Sequence, residues 1–269
     1  MSETTDIQNI QAIGGARNRD EPQGVSRNIL EPLLALARKE IYTALIAPAT
    51  YFIGLFFLLF TAVWLYYLQT FFIRDQATLR PYFIAFPLAF ILVIPGFTMK
   101  SWAEERKTGS IELLLTMPFS EWDLVLGKFF ASLGLLAALL ALSLPVPLSI
   151  LPLGHFDGGV IVCEYLGALL FGASATALGL LLSALSKNQA AAFLGSASAL
   201  LAVMLINQIS MTQALPAWLS AFFLYISLNY HFESFAKGLL DSRDLLFFIV
   251  SAALFLYVTT RVLVFRKWR

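Results

Sequence analysis

Residues 100–128 read "KSWAEERKTGSIELLLTMPFSEWDLVLGK", nine charged residues set between two long runs, 81–99 and 129–156, that contain no Asp, Glu, Lys or Arg. Within the stretch, Gly109 ends a helical segment and Ser110 is placed to cap a new one. Ile111 to Thr116 then form a short helix that Pro118 stops. Ser120 is a second cap, with Glu121 and Asp123 in the opening turn of the next helix and Lys128 near the membrane surface. The expected result is a short helix parallel to a membrane between two spans. Ile111, Leu113, Leu114 and Leu115 give it an apolar side that must dock, either on the membrane interface or on a protein.

The flanking runs set the class. The 269 residues are 59% hydrophobic and only 13% charged, whereas a soluble domain carries about 25% charge; a water-soluble protein is excluded. Further charge-free runs cover 41–73, 165–186, 188–232 and 245–260. A bilayer-spanning helix needs about 20 apolar residues, so we read an all-α integral membrane protein with six transmembrane helices. If the N-terminus is cytoplasmic, fourteen of the 18 Lys and Arg fall inside, against Arg74, Arg80, Lys237 and Arg243 outside. The positive-inside rule then places both termini and the 100–128 stretch in the cytoplasm.

Residues 1–25 are polar and lack the apolar core of a signal peptide, which predicts a flexible cytoplasmic tail. From Ser26 the pattern changes: Leu30, Leu33, Leu34, Ala37 and Ile41 recur at helical spacing, with Arg27, Glu31, Arg38 and Lys39 between them. That predicts an amphipathic helix in the membrane interface ahead of the first span. In the second span, Pro87 and the Pro95-Gly96 pair predict a kink. The fourth span is rich in small residues, which let helices approach closely and predict a helix buried among others. Residues 214–244, "ALPAWLSAFFLYISLNYHFESFAKGLLDSRD", are too apolar for a free loop. They predict one or two short re-entrant helices between the fifth and sixth spans, with backbone bonds satisfied internally.

Familiar catalytic chemistry is missing from this sequence. No charge sits near the middle of a span, which argues against ion-coupled transport. There is no GxxxxGK[ST], no HExxH and no nucleophile–base pair, so no catalytic or metal-binding residue is assigned. The one cysteine, Cys163, excludes an internal disulfide. His155 reads as a solvated loop residue and Glu164 as an interfacial charge. The sparse Arg residues of the tail do not form a nucleic-acid patch.

Three stretches carry a family resemblance: "EERKTGSIELLLTMPFSEWDLVLGKF" at 104–129, "SKNQAAAF" at 186–193 and "HFESFAKGLLDSRDLLFF" at 231–248. Together they resemble the membrane subunits of ABC transporters of the type-2 exporter class (ABC-2), the last being especially similar to gliding-motility-associated permease subunits. The resemblance runs from about Leu30 to the end and makes 26–269 the transmembrane domain. It implies that Ser110, Ile111, Glu112, Leu113, Leu114 and Thr116 form a cytoplasmic coupling helix against a separate ATP-binding subunit, bounded by Gly109 and Pro118. Glu104, Glu105 and Arg106 would be the charged network at the membrane edge. Lys187, Asn188 and Gln189 would form a second cytoplasmic turn, and His231, Phe232, Glu233, Lys237 and Gly238 the outer re-entrant segment.

The resemblance also implies a multi-pass protein of the inner, cytoplasmic membrane. It would work with an ATP-binding subunit, a second copy or a related permease, and an additional membrane or periplasmic subunit, in contact with membrane lipid. ATP and Mg would be bound by the partner, so this chain would be a transport subunit without cofactor or enzymatic activity. Two other readings stay open: an ATPase-driven anchor or mechanical transducer of an envelope complex, and an intramembrane enzyme. The 24 Phe residues suit a lipid-like or amphipathic cargo, but the same composition follows from facing lipid.

Overall fold

The computed structural model describes residues 30–69, 78–110, 120–154, 156–211 and 216–267. The chain divides into two units, Met1–Glu31 and Pro32–Arg269, and all packing considered below lies within the second. The expected tail, 1–25, lies outside the described residues, as do Ile111, Glu112, Leu113, Leu114, Thr116, Pro118 and His155.

Among the described residues every regular element is helical. In chain order they are α1 (Leu30–Ile46), α2 (Pro48–Val63), α3 (Arg80–Thr98), α4 (Ala103–Lys107), α5 (Glu121–Ser143), α6 (Pro145–Ile150), α7 (Gly158–Leu185), α8 (Gln189–Met211), α9 (Ala217–Ile226), α10 (Leu228–Phe235) and α11 (Ser242–Lys267). A π-helical turn, Trp64–Leu68, extends α2, and a single 3-10 turn, Leu151–Leu153, follows α6. Six stretches are long and apolar enough to cross a membrane: Pro48–Leu68, Arg80–Lys107, Glu121–Ile150, Gly158–Leu185, Gln189–Ile206 and Ser242–Arg266. Even the 18 residues of the fifth rise about 27 Å as a helix, close to the thickness of a hydrocarbon core.

The spans are not equivalent. The second and fourth are the most enclosed, with 72% and 61% of their apolar windows buried inside the protein, against 17% for the first and the fifth. The fourth span, α7, is the hub, packed against α11, α3, α8, α5 and α10. Its small residues make this possible. A Cβ on Gly167 would come within 2.5 Å of Phe235, and one on Gly179 within 2.5 Å of the Thr98 hydroxyl. Hydrophobic stabilisation between helices is absent in lipid, so such close approach and the dispersion contacts it brings hold the bundle together.

The core between these spans is aromatic. Phe57 stacks on Phe90 at 5.9 Å, Phe90 lies 6.0 Å from Phe171, and Phe171 lies 5.8 Å from Phe232 and 6.3 Å from Phe248. Offset and edge-on rings of this kind gain about 0.5–1.5 kcal/mol per pair beyond area burial. The chain of rings ties spans one, two, four and six to α10. Among them the polar groups close on one another: Tyr82 donates its hydroxyl to the Ser143 carbonyl at 3.3 Å, and the Ser143 and Tyr165 hydroxyls meet at 3.0 Å.

The helix α3 is continuous through Pro87 and Pro95. Gly96 has a packing reason, since a Cβ there would meet Ile53 of the first span at 2.6 Å. One sequence expectation takes a different form in the structure. Glu164 is not an interfacial charge: it is 1% exposed, and neither carboxylate oxygen has a hydrogen-bond partner. Interior burial of the small-residue helix α7 carries this carboxyl inward, because it sits one turn from Gly167 and Ala168 on the packed face.

The apolar segment after the fifth span forms α9 and α10. The end of α10 is a glycine stop: Gly238 has φ 73°, Gly238 N–H donates to Phe235 O and Leu239 N–H to Ser234 O. This is the paired pattern of a left-handed C-terminal cap, which glycine adopts without a Cβ penalty.

Candidate functional site

The described charged residues of the island lie around the end of α3, on α4 and in the first part of α5. The first half of the island begins where α3 ends. Trp102 and Ala103 donate their backbone N–H groups to the Ser183 hydroxyl at 3.2 and 3.4 Å, and Ser183 donates to the Met99 carbonyl at 3.3 Å. One buried serine near the end of α7 thus pins the turn leading into α4. Trp102 is fully buried beneath the Lys128 ammonium, which lies 4.9 Å from its ring.

The short helix α4 then places its charges on different partners. Arg106 donates from Nη1 to the Ser186 carbonyl at 2.5 Å and to Leu185 O at 3.5 Å, and from Nη2 to the Ala184 carbonyl. Arg266, from the last turn of α11, adds a bond to Leu185 O at 3.3 Å. The last carbonyls of a helix lack intrahelical partners and carry its negative pole. Two guanidinium groups therefore cap the fourth span, one from the island and one from the basic end of the sixth.

Glu105 turns the other way. Its Oε1 accepts from Lys128 Nζ at 2.6 Å, and Lys128 also reaches Glu40 Oε1 of α1 at 3.1 Å. Lys128 is 2% exposed, while the two carboxylates are 19–21% exposed. Taking an ammonium out of water costs several kcal/mol, which two carboxylates and an aromatic face offset here. The triad joins α1, α4 and α5.

The second half of the island starts with a turn. Gly109 has φ 73°, and the Ser110 hydroxyl donates to Glu105 O at 3.3 Å and meets Thr108 Oγ1 at 2.9 Å. Where the chain is described again, Ser120 and Asp123 form a reciprocal capping box: Asp123 N–H donates to Ser120 Oγ and Ser120 N–H to Asp123 Oδ2, both at 3.1 Å. This is the cap read from the sequence.

The remaining expected site residues separate into two places. Lys187 and Asn188 are exposed beside the island, and Asn188 Oδ1 accepts from Ala191 N–H at 2.8 Å, capping α8, which begins at Gln189. Beyond α8, His231, Phe232, Glu233, Lys237 and Gly238 belong to α10 and its stop rather than to the island. His231 Nε2–H donates to Tyr225 O at 3.0 Å, Nδ1 meets Asp244 Oδ1 at 2.6 Å, and the ring stacks on Phe247 at 3.8 Å. Phe232 enters the aromatic core, and Glu233 lines a cleft of 110 Å³ with Arg80 and Asn229. Among the described residues no group of His, Cys, Asp and Glu is arranged to hold a metal.

Five residues of the junction were not singled out from the sequence as site residues: Glu40, Trp102, Lys128, Ser183 and Arg266. Lys128 alone left a usable signal. It occupies the stripe of α5 that also carries Leu124, Val125, Ala131 and Leu135, all buried. A charge on the packed stripe of a helix needs a partner; nothing local says that the partner is Glu40, 88 residues earlier.

Comparison with known proteins agrees with this architecture. Over 123 residues, 45% of the chain, the sequence is 28% identical to the "Probable multidrug ABC transporter permease YbhR" of Escherichia coli strain K12 and, equally, to its namesake in Escherichia coli O157:H7. The alignment spans 33% of each relative's length. Residues 66–264 match the family described as ABC-2 family transporter protein, a stretch that includes the second to fifth spans, all but the last two residues of the sixth, and the whole of the island. The chain therefore belongs to the ABC-2 family, as a membrane subunit of a transporter.

Proposed function

We propose that this chain is the membrane-spanning permease of an ATP-driven exporter and that its charged junction transmits force from a separate ATP-binding subunit. The observation that carries the reading is the connectivity of residues 99–106. Through Ser183 and Arg106 this turn is bonded to α7, and through Glu105 to Lys128 of α5, which also holds Glu40 of α1. A push on the following segment, 110–118, would be delivered to three helices at once. Segment 110–118 is the proposed coupling helix, with Ile111, Glu112, Leu113, Leu114 and Thr116 facing the ATPase.

The junction end is cytoplasmic in this reading, in line with the excess of Lys and Arg there. The N-terminal helix lies in the inner interface, α9 and α10 re-enter the outer leaflet, and the membrane is the inner, cytoplasmic one. Two copies of the chain, or one copy and a related permease, enclose the path, because the first and fifth spans leave most of their surface unburied within a single chain. An amphipathic, drug-like cargo is the matching proposal for the substrate; it rests on the partial likeness to the multidrug permeases. Kinship with gliding-motility permeases rests on the 231–248 stretch alone.

The test is purification from the native membrane of the wild type and of Glu112→Lys and Leu114→Asp. The wild type should bring down a nucleotide-binding subunit in about equal amount and stimulate its ATPase, while each variant remains inserted but loses binding or stimulation. Unchanged binding and stimulation in both variants would remove the coupling assignment. Recovery of envelope proteins without any ATPase would replace the exporter by a mechanical anchor.

A further inference from the structure

One imidazole ties three helices together where α9, α10 and α11 meet. His231 of α10 donates from Nε2 to the Tyr225 carbonyl at 3.0 Å, and its Nδ1 lies 2.6 Å from Asp244 Oδ1. Tyr225 is the last residue but one of α9, so its carbonyl is among those that a helix end leaves without an intrahelical partner. Asp244 is the third residue of α11, and the His231 and Asp244 side chains are 3% and 10% exposed. Among the described residues four rings surround the imidazole. Phe247 stacks on it at 3.8 Å, Tyr225 and Tyr230 stand edge-on at 5.6 and 5.4 Å, and Phe248 lies at 6.4 Å.

Hydrogen-bond chemistry sets the proton count of this pair. A carbonyl oxygen only accepts, so Nε2 carries a hydrogen. Nδ1 and a carboxylate oxygen at 2.6 Å are bonded only when a proton lies between them. The closed arrangement therefore holds one proton more than a neutral imidazole beside an ionised carboxylate, and the pair as a whole is neutral. Asp244 stands at the positive end of the α11 dipole, which favours its carboxylate form and hence an imidazolium at His231, stacked on an aromatic face. Without that proton, two lone pairs would stand 2.6 Å apart in a buried site. Among the described residues no other ionisable group bonds to the imidazole. The packed helix α8 carries none at all. On α7, Tyr165 meets the Ser143 hydroxyl, the charge acting on Glu164 is that of Arg80, and Cys163 is the remaining group. Glu233 lines the cleft with Arg80, while Tyr230, Lys237, Asp241 and Arg243 are exposed.

The helix held by this contact has little else to hold it. Among the described side chains of α9 none is buried, and the helix packs on α8 and α10. We propose that His231 and Asp244 form a proton-operated latch: protonated, the pair bolts the end of α9 to α10 and α11; deprotonated, it lets α9 go. The proton passes to water by way of the partly exposed Asp244 carboxylate. Because the closed state is the one that holds the proton, the bond is complete at low pH and is lost as pH rises through the titration of the pair. In the orientation proposed above the latch reads the pH of the outer compartment. Its chemistry depends neither on that orientation nor on coupling to an ATPase, so either can fail without the other.

The sequence holds two histidines, His155 and His231, so nitrogen NMR of the histidine-labelled full chain, assigned with His155→Gln, follows the His231 ring directly. Spectra are taken from about pH 5 to about pH 10, on both sides of free imidazole at about 6.5. Amide hydrogen exchange of α9 (Ala217–Ile226) is measured at the same pH values, with labelling times scaled for the intrinsic rate and residues 167–180 of α7 as reference. Loss of the His231 proton should coincide with an about tenfold fall in protection of α9, the worth of one charge-assisted hydrogen bond, and leave the reference unchanged. Asp244→Asn offers an N–H to Nδ1 of a neutral imidazole and cannot ionise, so its α9 should stay protected throughout. His231→Phe keeps a ring in the cage without either bond and should lack the protection at every pH; Asp244→Asn decides the matter even if that variant does not fold. A His231 ring that keeps its proton over the whole range would overturn the latch. So would protection of α9 that does not follow the proton, or an Asp244→Asn chain that opens as the wild type does.

Discussion

Replacing Lys128 by methionine separates the electrostatics of the junction from its packing. Methionine keeps an unbranched side chain of similar length, so the stem contacts along α5 survive while the ammonium is lost. Two carboxylates, Glu40 and Glu105, then face each other without the cation that holds them at 3.1 and 2.6 Å. Removing one partner of a fully buried pair costs about 3–5 kcal/mol. Here the carboxylates keep 19–21% of their surface accessible, which moves the expectation to about 3 kcal/mol. For a chain of this size that is about 6–12 °C in the unfolding midpoint. Thermal unfolding of the detergent-solubilised chain, followed by tryptophan emission, reads it directly, with Trp102 lying under the ammonium as a local reporter. The triple variant Glu40→Gln, Glu105→Gln, Lys128→Met removes every charge and should recover most of the loss, since apolar or neutral replacement of a whole buried network is often close to neutral. A single variant within about 2 °C of the wild type, or a triple variant no better than the single, would refute the assignment of the triad as a structural brace.

Four other substitutions test separate parts of the account. Arg106→Ala strips the fork from the last carbonyls of the fourth span and should cost about 2 kcal/mol, with Arg106→Lys recovering only part; equal midpoints for both variants and the wild type would dismiss the cap. Gly179→Val drives a branched side chain into Thr98, 2.5 Å from where a Cβ would stand, and should lower the midpoint by the equivalent of about 1–3 kcal/mol. Gly238→Ala puts a Cβ on a residue with φ 73° and against Val160, at a cost of about 1–2 kcal/mol; a neutral result in the same melt would mean that the stop after α10 relaxes freely. Glu164→Gln replaces a buried carboxyl that has no hydrogen-bond partner, and the variant should melt at or above the wild type; a clear loss would reveal a partner for this carboxylate.

The six spans were legible because each is a local property. A membrane helix satisfies its own backbone, so a run such as Pro81 to Met99 declares itself by composition without reference to any neighbour. The Ser120–Asp123 capping box was legible for the same reason, both partners lying within one turn. The stop after α10 was harder: Gly238 was picked out only through the resemblance of its stretch, and its left-handed conformation became visible once the helix before it was placed.

The junction could not be read this way. Arg106 caps carbonyls 78–80 residues further on, and Trp102 shares a serine 81 residues away. Lys128 pairs with a glutamate from a helix that precedes the first span. Hydropathy assigned each of these charges to a membrane edge, which is as far as a scale of solvent preference goes. Glu164 was misread by the same reasoning, since its distance along the span from the apolar centre says nothing about the direction in which the packed face turns it.

For this protein the sequence alone determined the class, the number of spans, the local caps and, through its motifs, the family, because those depend on composition and on neighbours within a turn or two. Only the tertiary structure decided which spans form the interior and which carbonyls Arg106 caps. It alone showed that Lys128 is enclosed by two carboxylates and that one imidazole joins the end of α9 to the start of α11. The physical reason is that pairing of buried charges and close approach at glycines are set by which helix faces meet, and in a bilayer that choice is made by packing between segments that are each already complete as helices.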